Sequence, residues 1–508
     1  MYRNGLYDRR QPRKYGKYGD IVLKRNRFMR TQHIHPEGYT HRFSLSSFLL
    51  PVIAVCFLIA ITLWLKPIPV GIDFWVHGTS IEIFASDTDN PTHPYLYDGM
   101  PERHLGLYEY TLSRFAKYFE LSGAVTLLYA SCINLILLFF ACAYLGRAVH
   151  RSPWFSSVVF LIITFGWGET FSWSNDYAYH ILPKTAGYPS TLATILILFI
   201  YALLLRDFEN PRLFRKMTIT LLAVLVLITH QLTSFLLMFP LMGFLVLFAQ
   251  IPLKRKVVYI ALGMIAMTIS LAWPYYHWYS LLTKSFTGIT MHQRPPGSPR
   301  MFYNWANIVK AIGGGLLGFV CVPFLFRRKL LHLLFFLTMM VILWSLSFFI
   351  KIQLEHRTVY GCIFALHLIM IHVIAVSFDE SSRWLKKISV ILIVIIFTSG
   401  ATISVYQISK DYINSKERIS FFQELSQIMS VFQNSDANNA DSMIASDIDT
   451  NFSLPAFGTH TKEMSRFGSS RLKDVFRSPL PQINIAKLNR ALHSLNADYL
   501  LINRRSEG

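Results

Sequence analysis

The sequence predicts an all-α polytopic membrane protein with about eleven transmembrane helices, a large first outer loop and a small C-terminal α/β outer domain. Three observations carry this. Hydrophobic residues make up 53% of the 508 positions and charged residues only 15%, where a soluble domain carries roughly 25% charge. The apolar residues fall into blocks long enough to cross a bilayer, which takes about 20 residues with a tolerated range of roughly 17–25. The basic residues collect in alternate short loops, the bias that marks cytoplasmic segments. This composition excludes a disordered, collagen-like or disulfide-stapled chain and argues against an ordinary soluble enzyme.

The spans read as Phe48–Leu65, Ala124–Leu145, Trp154–Trp167, Tyr188–Leu205, Leu213–Thr229, Leu232–Ala249, Val257–Trp273, Ile308–Phe326, Leu330–Ile350, Thr358–Phe378 and Ile388–Tyr406. Trp154–Trp167 is short, and the pair meeting at His230-Gln231 is either two tilted spans or one hairpin. Each added or lost span flips every later loop, so the charges test the count. With the N-terminus inside, the inner segments hold Arg147/Arg151, Arg206/Arg212/Arg215/Lys216, Lys254/Arg255/Lys256, Arg327/Arg328/Lys329 and Arg383/Lys386/Lys387. The outer stretch from Lys66 to Ser122 has four basic residues in 57 positions. The orientation is N-in and C-out.

Residues 1–42 carry eleven basic residues and read as a cytoplasmic tail on the anionic inner leaflet rather than a nucleic-acid site. Phe48–Leu65 reads as a retained helix, because Lys66-Pro67-Ile68-Pro69 follows it instead of a cleavage pattern. Residues 43–406 then form the transmembrane domain, with the first outer loop at 66–122, and 407–508 an extracytoplasmic domain. In that tail Phe421–Phe432 and Ile485–Leu495 have helical periodicity and Asp498–Ile502 reads as a strand. The five cysteines sit inside apolar runs and read as small hydrophobes. Gly313-Gly314-Gly315 falls inside a span and suits close helix packing. No Walker A loop, GxSxG elbow, HExxH or Rossmann fingerprint supports ATP-driven, serine-hydrolase, zinc-protease or nucleotide-cofactor chemistry.

The first outer loop carries more chemistry than a tether needs. It holds Asp73 and His77 just after the first span, then Asp87-Thr88-Asp89, Asp98, Glu102-Arg103-His104 and Glu109. Ionisable groups at the membrane edge are costly unless paired, hydrated or functional, and a carboxylate held there suits a general base. Asp73 is equally a good helix N-cap. His77 lies four residues on and shares a helical face with it. Asp87 and Asp89 have the spacing that holds a divalent cation such as Mg or Mn beside phosphate, although Asp447-Ile448-Asp449 repeats it and a solvated turn explains it too. Arg357, where an apolar run begins, can fork onto a phosphate, pair with Glu355, or snorkel to headgroups. Lys184 and Arg103 are further candidates. Asp176 and His180 are candidates to line the cavity, although their cluster with Trp173, Tyr177 and Tyr179 reads more readily as an interfacial belt. His332, His367 and His372 read as hydrogen-bonded across helices.

In layout and short motifs the chain resembles the bacterial GT-C-type integral membrane glycosyltransferases, which move a sugar from a polyprenyl-phosphate or diphosphate carrier on the outer face of the membrane. Asp73-x-x-x-His77 is similar to their first-loop motif, and His230-Gln231-Leu232-Thr233 to a His-Pro-Leu-Thr turn with Gln231 replacing Pro. Glu355-His356-Arg357 is similar to their Glu-x-Arg, and the stretch from Ser446-Asp447 to Gly458 to a pattern in their outer tails. The resemblance implies Asp73 and His77 as catalytic residues and Arg357, Glu355, His230, Arg103 and Lys184 as substrate-binding residues. It implies a polyprenyl-phosphate-linked donor, a glycan, lipid or protein acceptor, membrane lipids around the spans, no nucleic acid, no required cofactor and a place in the bacterial plasma membrane. An O-antigen-type polymerase or ligase, or a non-enzymatic lipid-linked sugar transporter, are the alternative functions. The first usually depends on Arg-rich outer loops, whereas this loop is acidic and bears histidines. The second favours paired repeats and mid-membrane polar groups.

Overall fold

The computed structural model describes residues 48–65, 73–86, 106–169, 177–275, 278–279, 304–327, 330–347, 355–379, 382–413, 443–446, 462–463 and 499–501. The described chain is mostly helical. In order the helices are α1 (Leu49–Leu65), α2 (Asp73–Ser86), α3 (Leu107–Phe119), α4 (Gly123–Val149), α5 (Phe155–Phe165), α6 (Leu182–Thr185) and α7 (Pro189–Glu209). They continue with α8 (Leu213–Thr229), α9 (Gln231–Phe248), α10 (Leu253–Ser270), α11 (Trp305–Ile312), α12 (Leu317–Arg327), α13 (Leu331–Leu346), α14 (Glu355–Asp379) and α15 (Arg383–Ile413). A helix or helix pair overlaps every predicted span. By length and hydropathy six are able to cross a membrane: α4, α7, α9, the α11–α12 pair, α14 and α15. The chain is thus an integral membrane protein by its apolar helices.

Local sequence sets the helix starts. Ser122 accepts the Val125 N–H (3.4 Å) ahead of α4 and Asn304 accepts that of Ala306 (2.9 Å) ahead of α11, the side-chain capping that orphan N–H groups need. Pro189 opens α7, where no N–H is required. Without a water-driven hydrophobic force, helices in lipid associate by close packing over small residues. Here a Cβ on Gly146 would stand 2.6 Å from Ser156 Cα of α5, and one on Gly400 of α15 would collide with the Phe165 carbonyl. Helix α14 is buried nearly all round, whereas α1, α10 and α15 turn Ile53, Phe57, Val257, Met264, Ile391 and Val394 outward, as lipid-facing helices do.

Two polar knots tie the helices together. Tyr201 (α7) places its hydroxyl 2.9 Å from His332 Nε2 (α13) and 2.8 Å from His372 Nε2 (α14), all three buried. A hydroxyl can donate to one ring and accept from the other, so a single group satisfies two imidazoles. Asp207, fully buried near the end of α7, accepts from Tyr259 of α10 (2.6 Å) and the Arg212 backbone (2.7 Å), and its carboxylate lies 3.1 Å from Lys216 Nζ of α8. His332 and His372 therefore bond across helices as expected. His367 packs against Trp167 with no side-chain hydrogen-bond partner among the described residues.

The triple glycine packs closely as expected, but it breaks the helix instead of lying within it, and the reason is the short span it meets. Helix α5 has eleven residues, about 17 Å at 1.5 Å per residue, well short of the ~30 Å hydrocarbon core. The chain leaves the helix instead, with Gly168 N–H donating to Ala311 O (3.1 Å) and Glu169 N–H to Lys310 O (2.8 Å). That satisfies backbone groups which lipid would leave unpaired. The approach needs glycine on both sides, since a Cβ on Gly168 would overlap Lys310 O and one on Gly313 would overlap Gly168. Gly313 also has φ +50, so the triple glycine ends α11 and starts a 3₁₀ turn, Gly313–Leu316, rather than cushioning two continuous helices.

In the tail, β1 (Met443–Ser446) lies between β2 (Lys462–Glu463) and β3 (Tyr499–Leu501), parallel to both. The predicted strand Asp498–Ile502 contains β3. The predicted helices Phe421–Phe432 and Ile485–Leu495 lie outside the described residues.

Candidate functional site

Helix α2 starts at Asp73, and one turn later its buried stripe carries His77. Helix α3 returns against it, bringing Glu109 from its first turn. His77 Nδ1 is 2.8 Å from Glu109 Oε1, with His77 6% and Glu109 1% exposed. The two groups share one hydrogen bond across the α2–α3 seam. The edge contact of Phe84 with Tyr110 (5.5 Å between centroids) continues the same α2–α3 seam.

Next to Glu109, Tyr108 donates to the Gly187 carbonyl (2.8 Å), while Asn134 Nδ2 donates to Tyr108 Oη (3.0 Å) and to Ala186 O (2.7 Å). The α3 start is thereby tied to α4 and to the α6–α7 turn. Burial pushes the Tyr108 phenol far above its ordinary range, the Asn134 hydrogen bond opposes this and the Glu109 charge adds to the rise. It stays a neutral hydroxyl. Tyr188, at that turn, sets its ring 5.6 Å from that of His77.

Glu82 occupies the other face of α2. It accepts the Gly123 N–H at the start of α4 (2.5 Å). Burial raises its carboxyl from 4.5 to about 7, against the lowering pull of the Gly123 N–H.

A second cluster forms where α8 breaks. His230 caps α9, accepting at Nδ1 from Thr233 N–H (3.2 Å) and from the Thr233 hydroxyl (2.8 Å). One turn on, Ser234–Met238 is π-helical, a distortion frequent at functional sites. Leu232, Thr233, Leu236 and Leu237 line a small cleft of about 20 Å³ there, closed by Tyr177, Thr194 and Tyr360. Arg357, in the first turn of α14, is the one charged group among the described residues that line it. The clusters adjoin: a Cβ on Gly106 would stand 2.9 Å from Glu109 Oε2 and within 3.2 Å of the Ile228 and Thr229 carbonyls that lead into His230.

The structure thus pairs His77 with Glu109 at Gly106, near the backbone that leads into the His230 turn, and sets that turn beside Arg357. Lys184 is half-buried in α6, and Glu355 opens α14 two residues before Arg357. Asp87, Asp89, Arg103, Asp176 and Trp173 lie outside the described residues, as do the side chains of Asp73 and Glu355. Among the described residues no group of three or more His, Cys, Asp or Glu could hold a metal ion. The interfacial-belt expectation is corrected: Tyr177 and Tyr179 are buried. Tyr177 packs edge-on against Trp167 (4.6 Å) and lines the cleft. Tyr179 stacks on Phe165 (4.4 Å) and donates to Ala54 O, so both rings fill the gap beside the short α5. His180 is buried as well. Sequence reasoning did not pair Glu109 with His77, 32 residues apart, because no local periodicity links two helices of one loop.

No protein-family model and no curated protein matches the sequence. Among solved structures the chain is similar to the oligosaccharyltransferase of Archaeoglobus fulgidus in its apo form, with a TM-score of 0.54 and 12% identity over 91% of this chain and 70% of that one. It is similar to AglB from the same organism in complex with an inhibitory peptide and a dolichol-phosphate, with a TM-score of 0.54 and 10% identity over 89% and 69%. It is also similar to the Archaeoglobus enzyme in complex with Zn and sulfate, with a TM-score of 0.52 and 13% identity over 89% and 68%. These neighbours are GT-C-type membrane glycosyltransferases. At such identity the likeness shows the fold, and the fold of this chain is theirs.

Proposed function

We propose that the chain is an integral membrane glycosyltransferase that moves a sugar from a polyprenyl-phosphate carrier to a glycan, lipid or protein acceptor. Transfer takes place on the outer face of a bacterial plasma membrane, with eleven crossings, the N-terminus inside and the C-terminus outside. The observation that carries this reading is Arg357 as the one charged group among the described residues of an otherwise leucine- and tyrosine-lined cleft. It sits in a fold shared with a protein solved with a dolichol-phosphate. An isoprenoid tail suits the leucines of the π-helical turn, and a guanidinium suits the phosphate. The N-terminal end of α14 adds its own partial positive charge.

In the proposed step the acceptor oxygen attacks the anomeric carbon as the bond to the carrier phosphate breaks, which inverts the centre. The electron pair leaves with the phosphate, which Arg357 receives, and the acceptor proton passes to Asp73 at the head of α2. Because phosphate is a good leaving group, most of the task is positioning and charge stabilisation. Glu355, His230, Lys184 and Arg103 complete the substrate contacts in this reading, and the tail 407–508 caps the cavity. No cofactor is required; Asp87 and Asp89 come into play only where a divalent cation takes part.

The test is the lipid-linked material of a strain lacking the chain. The proposal expects a polyprenyl-phosphate sugar to accumulate and a product to lack that sugar. Wild-type lipid pools with an intact product count against it. In the same strain Asp73→Asn should fail to complement, while the Asp87→Asn/Asp89→Asn pair complements unless a metal is used.

A further inference from the structure

Where the first outer loop meets the break after α8, three oxygen atoms collect around a glycine. One belongs to Glu109, which is 1% exposed, and a buried carboxylate is expensive unless its charge is balanced and its lone pairs are filled. Oε1 meets His77 (2.8 Å), while Oε2 has no hydrogen-bond partner among the described residues. The point that a Cβ on Gly106 would occupy lies 2.9 Å from Oε2, 3.1 Å from Ile228 O and 3.2 Å from Thr229 O. Both carbonyls belong to the last turn of α8, whose acceptors a helix leaves without intrahelical donors, and the backbone departs from helix at His230 (φ −150°, ψ 89°). That end of a helix also carries partial negative charge. Three acceptors thus share one spot, and they repel one another unless a positive group stands among them. Gly106 itself has φ −90° and ψ 171°, an extended conformation open to any residue. Backbone geometry therefore does not call for glycine here; the missing side chain leaves room beside the three oxygens.

We infer that Glu109 Oε2 and the carbonyls of Ile228 and Thr229 form a site for a hard monovalent cation of sodium's class. All three ligands are oxygens, the set that hard cations take, and none is the imidazole or thiolate that softer metals prefer. They carry one negative charge between them, which a single positive charge balances. Carbonyls at the C-terminal end of an interrupted helix are a general means of holding sodium in membrane proteins. The ion ties the start of α3 to the end of α8, and so joins the His77–Glu109 contact to the turn that His230 caps. It acts on structure, outside the reacting atoms of the proposed transfer, and its binding is measured without that reaction.

The experiment is the melting temperature of the purified full-length protein in detergent, at one pH, as choline chloride is exchanged for NaCl, MgCl2 or CaCl2 at constant ionic strength. A ligand that binds only the folded state raises stability with the logarithm of its concentration once that exceeds Kd. Sodium is expected to raise the melting temperature above the choline value. Magnesium is expected to leave it there, because it gives up its water reluctantly. Glu109→Gln keeps the shape and an oxygen but not the charge, and should lose the sodium response. Gly106→Ala fills the cradle and keeps the carboxylate, and should shift the response to about tenfold higher sodium or more. Glu82→Gln and Gly263→Ala, an acid and a glycine elsewhere, should respond as wild type does. Should Glu109→Gln fail to fold, the wild-type series and Gly106→Ala carry the comparison. Equal melting temperatures of wild type in sodium and choline overturn the inference. So does a sodium response unchanged in Glu109→Gln and Gly106→Ala, or calcium or magnesium acting at lower concentration than sodium. None of these readings involves sugar transfer, so each leaves the proposed function where it stood.

Discussion

Replacing Arg357 by Gln removes the one charge of the cleft's described lining while keeping a planar, hydrogen-bonding side chain. The cleft offers little to take its place, since Leu232, Leu236 and Leu237 are apolar and Tyr177, Thr194, Thr233 and Tyr360 are neutral. A hydrogen bond to a charged group contributes about 1.5–3 kcal/mol net, and 1.4 kcal/mol is tenfold in affinity. Donor binding should therefore weaken roughly 10–150-fold in Arg357→Gln. Arg357→Lys keeps the charge but loses the two-pronged geometry, so it should lose about tenfold or less. The assay is the donor KM in proteoliposomes, compared with a carrier lipid that lacks the sugar as a competitor. Equal affinity of wild type and Arg357→Gln for both lipids refutes the phosphate assignment and leaves Arg357 a headgroup contact.

Three further outcomes follow from the geometry. Tyr201→Phe strips one hydroxyl from two buried imidazoles and should destabilise the α7–α13–α14 contact by ~1–3 kcal/mol, read as a lowered melting temperature in detergent with the donor KM unchanged. Burial raises Glu82 from 4.5 to about 7, so its folded form holds a proton more tightly than the unfolded chain. The stabilisation is full below about pH 4.5 and lost as pH rises through about 7, and Glu82→Gln should flatten that part of the stability-against-pH curve. Gly168→Ala forces a Cβ into the Lys310 carbonyl and should lower the yield of folded protein, whereas Gly263→Ala, with nothing within 4 Å, should not.

The bundle of apolar helices was legible from the length of the apolar blocks, and six of the helices are long and apolar enough to cross a membrane. Each block has a helix in the structure. The sequence does not reveal how a block is used. The eleven residues of α5 and the break at Gly313 are one device, visible only once Gly168 and Ala311 are seen to pair. In the candidate site, His77, the His230 turn and Arg357 stood out by residue type at the membrane edge, and the structure sets Leu232 and Thr233 of that turn beside Arg357. Glu109 read as one acid among several in a polar loop, because its meaning lies in a contact 32 residues away. Tyr177 was misjudged for a related reason: an aromatic cluster at a span end has the composition of an interfacial belt whether it faces headgroups or fills a gap inside the bundle.

The central claim is that sugar leaves a lipid phosphate with Asp73 as the base. It is tested by following radiolabel from polyprenyl-phosphate sugar in proteoliposomes containing wild type or Asp73→Asn, with the product's anomeric configuration read by NMR. The account predicts label moving to the acceptor with inversion, and a rate lower by about two to four orders of magnitude in Asp73→Asn at equal protein level. Label that stays on the carrier with wild type across the donors and acceptors tried, or that leaves equally fast with Asp73→Asn, contradicts it.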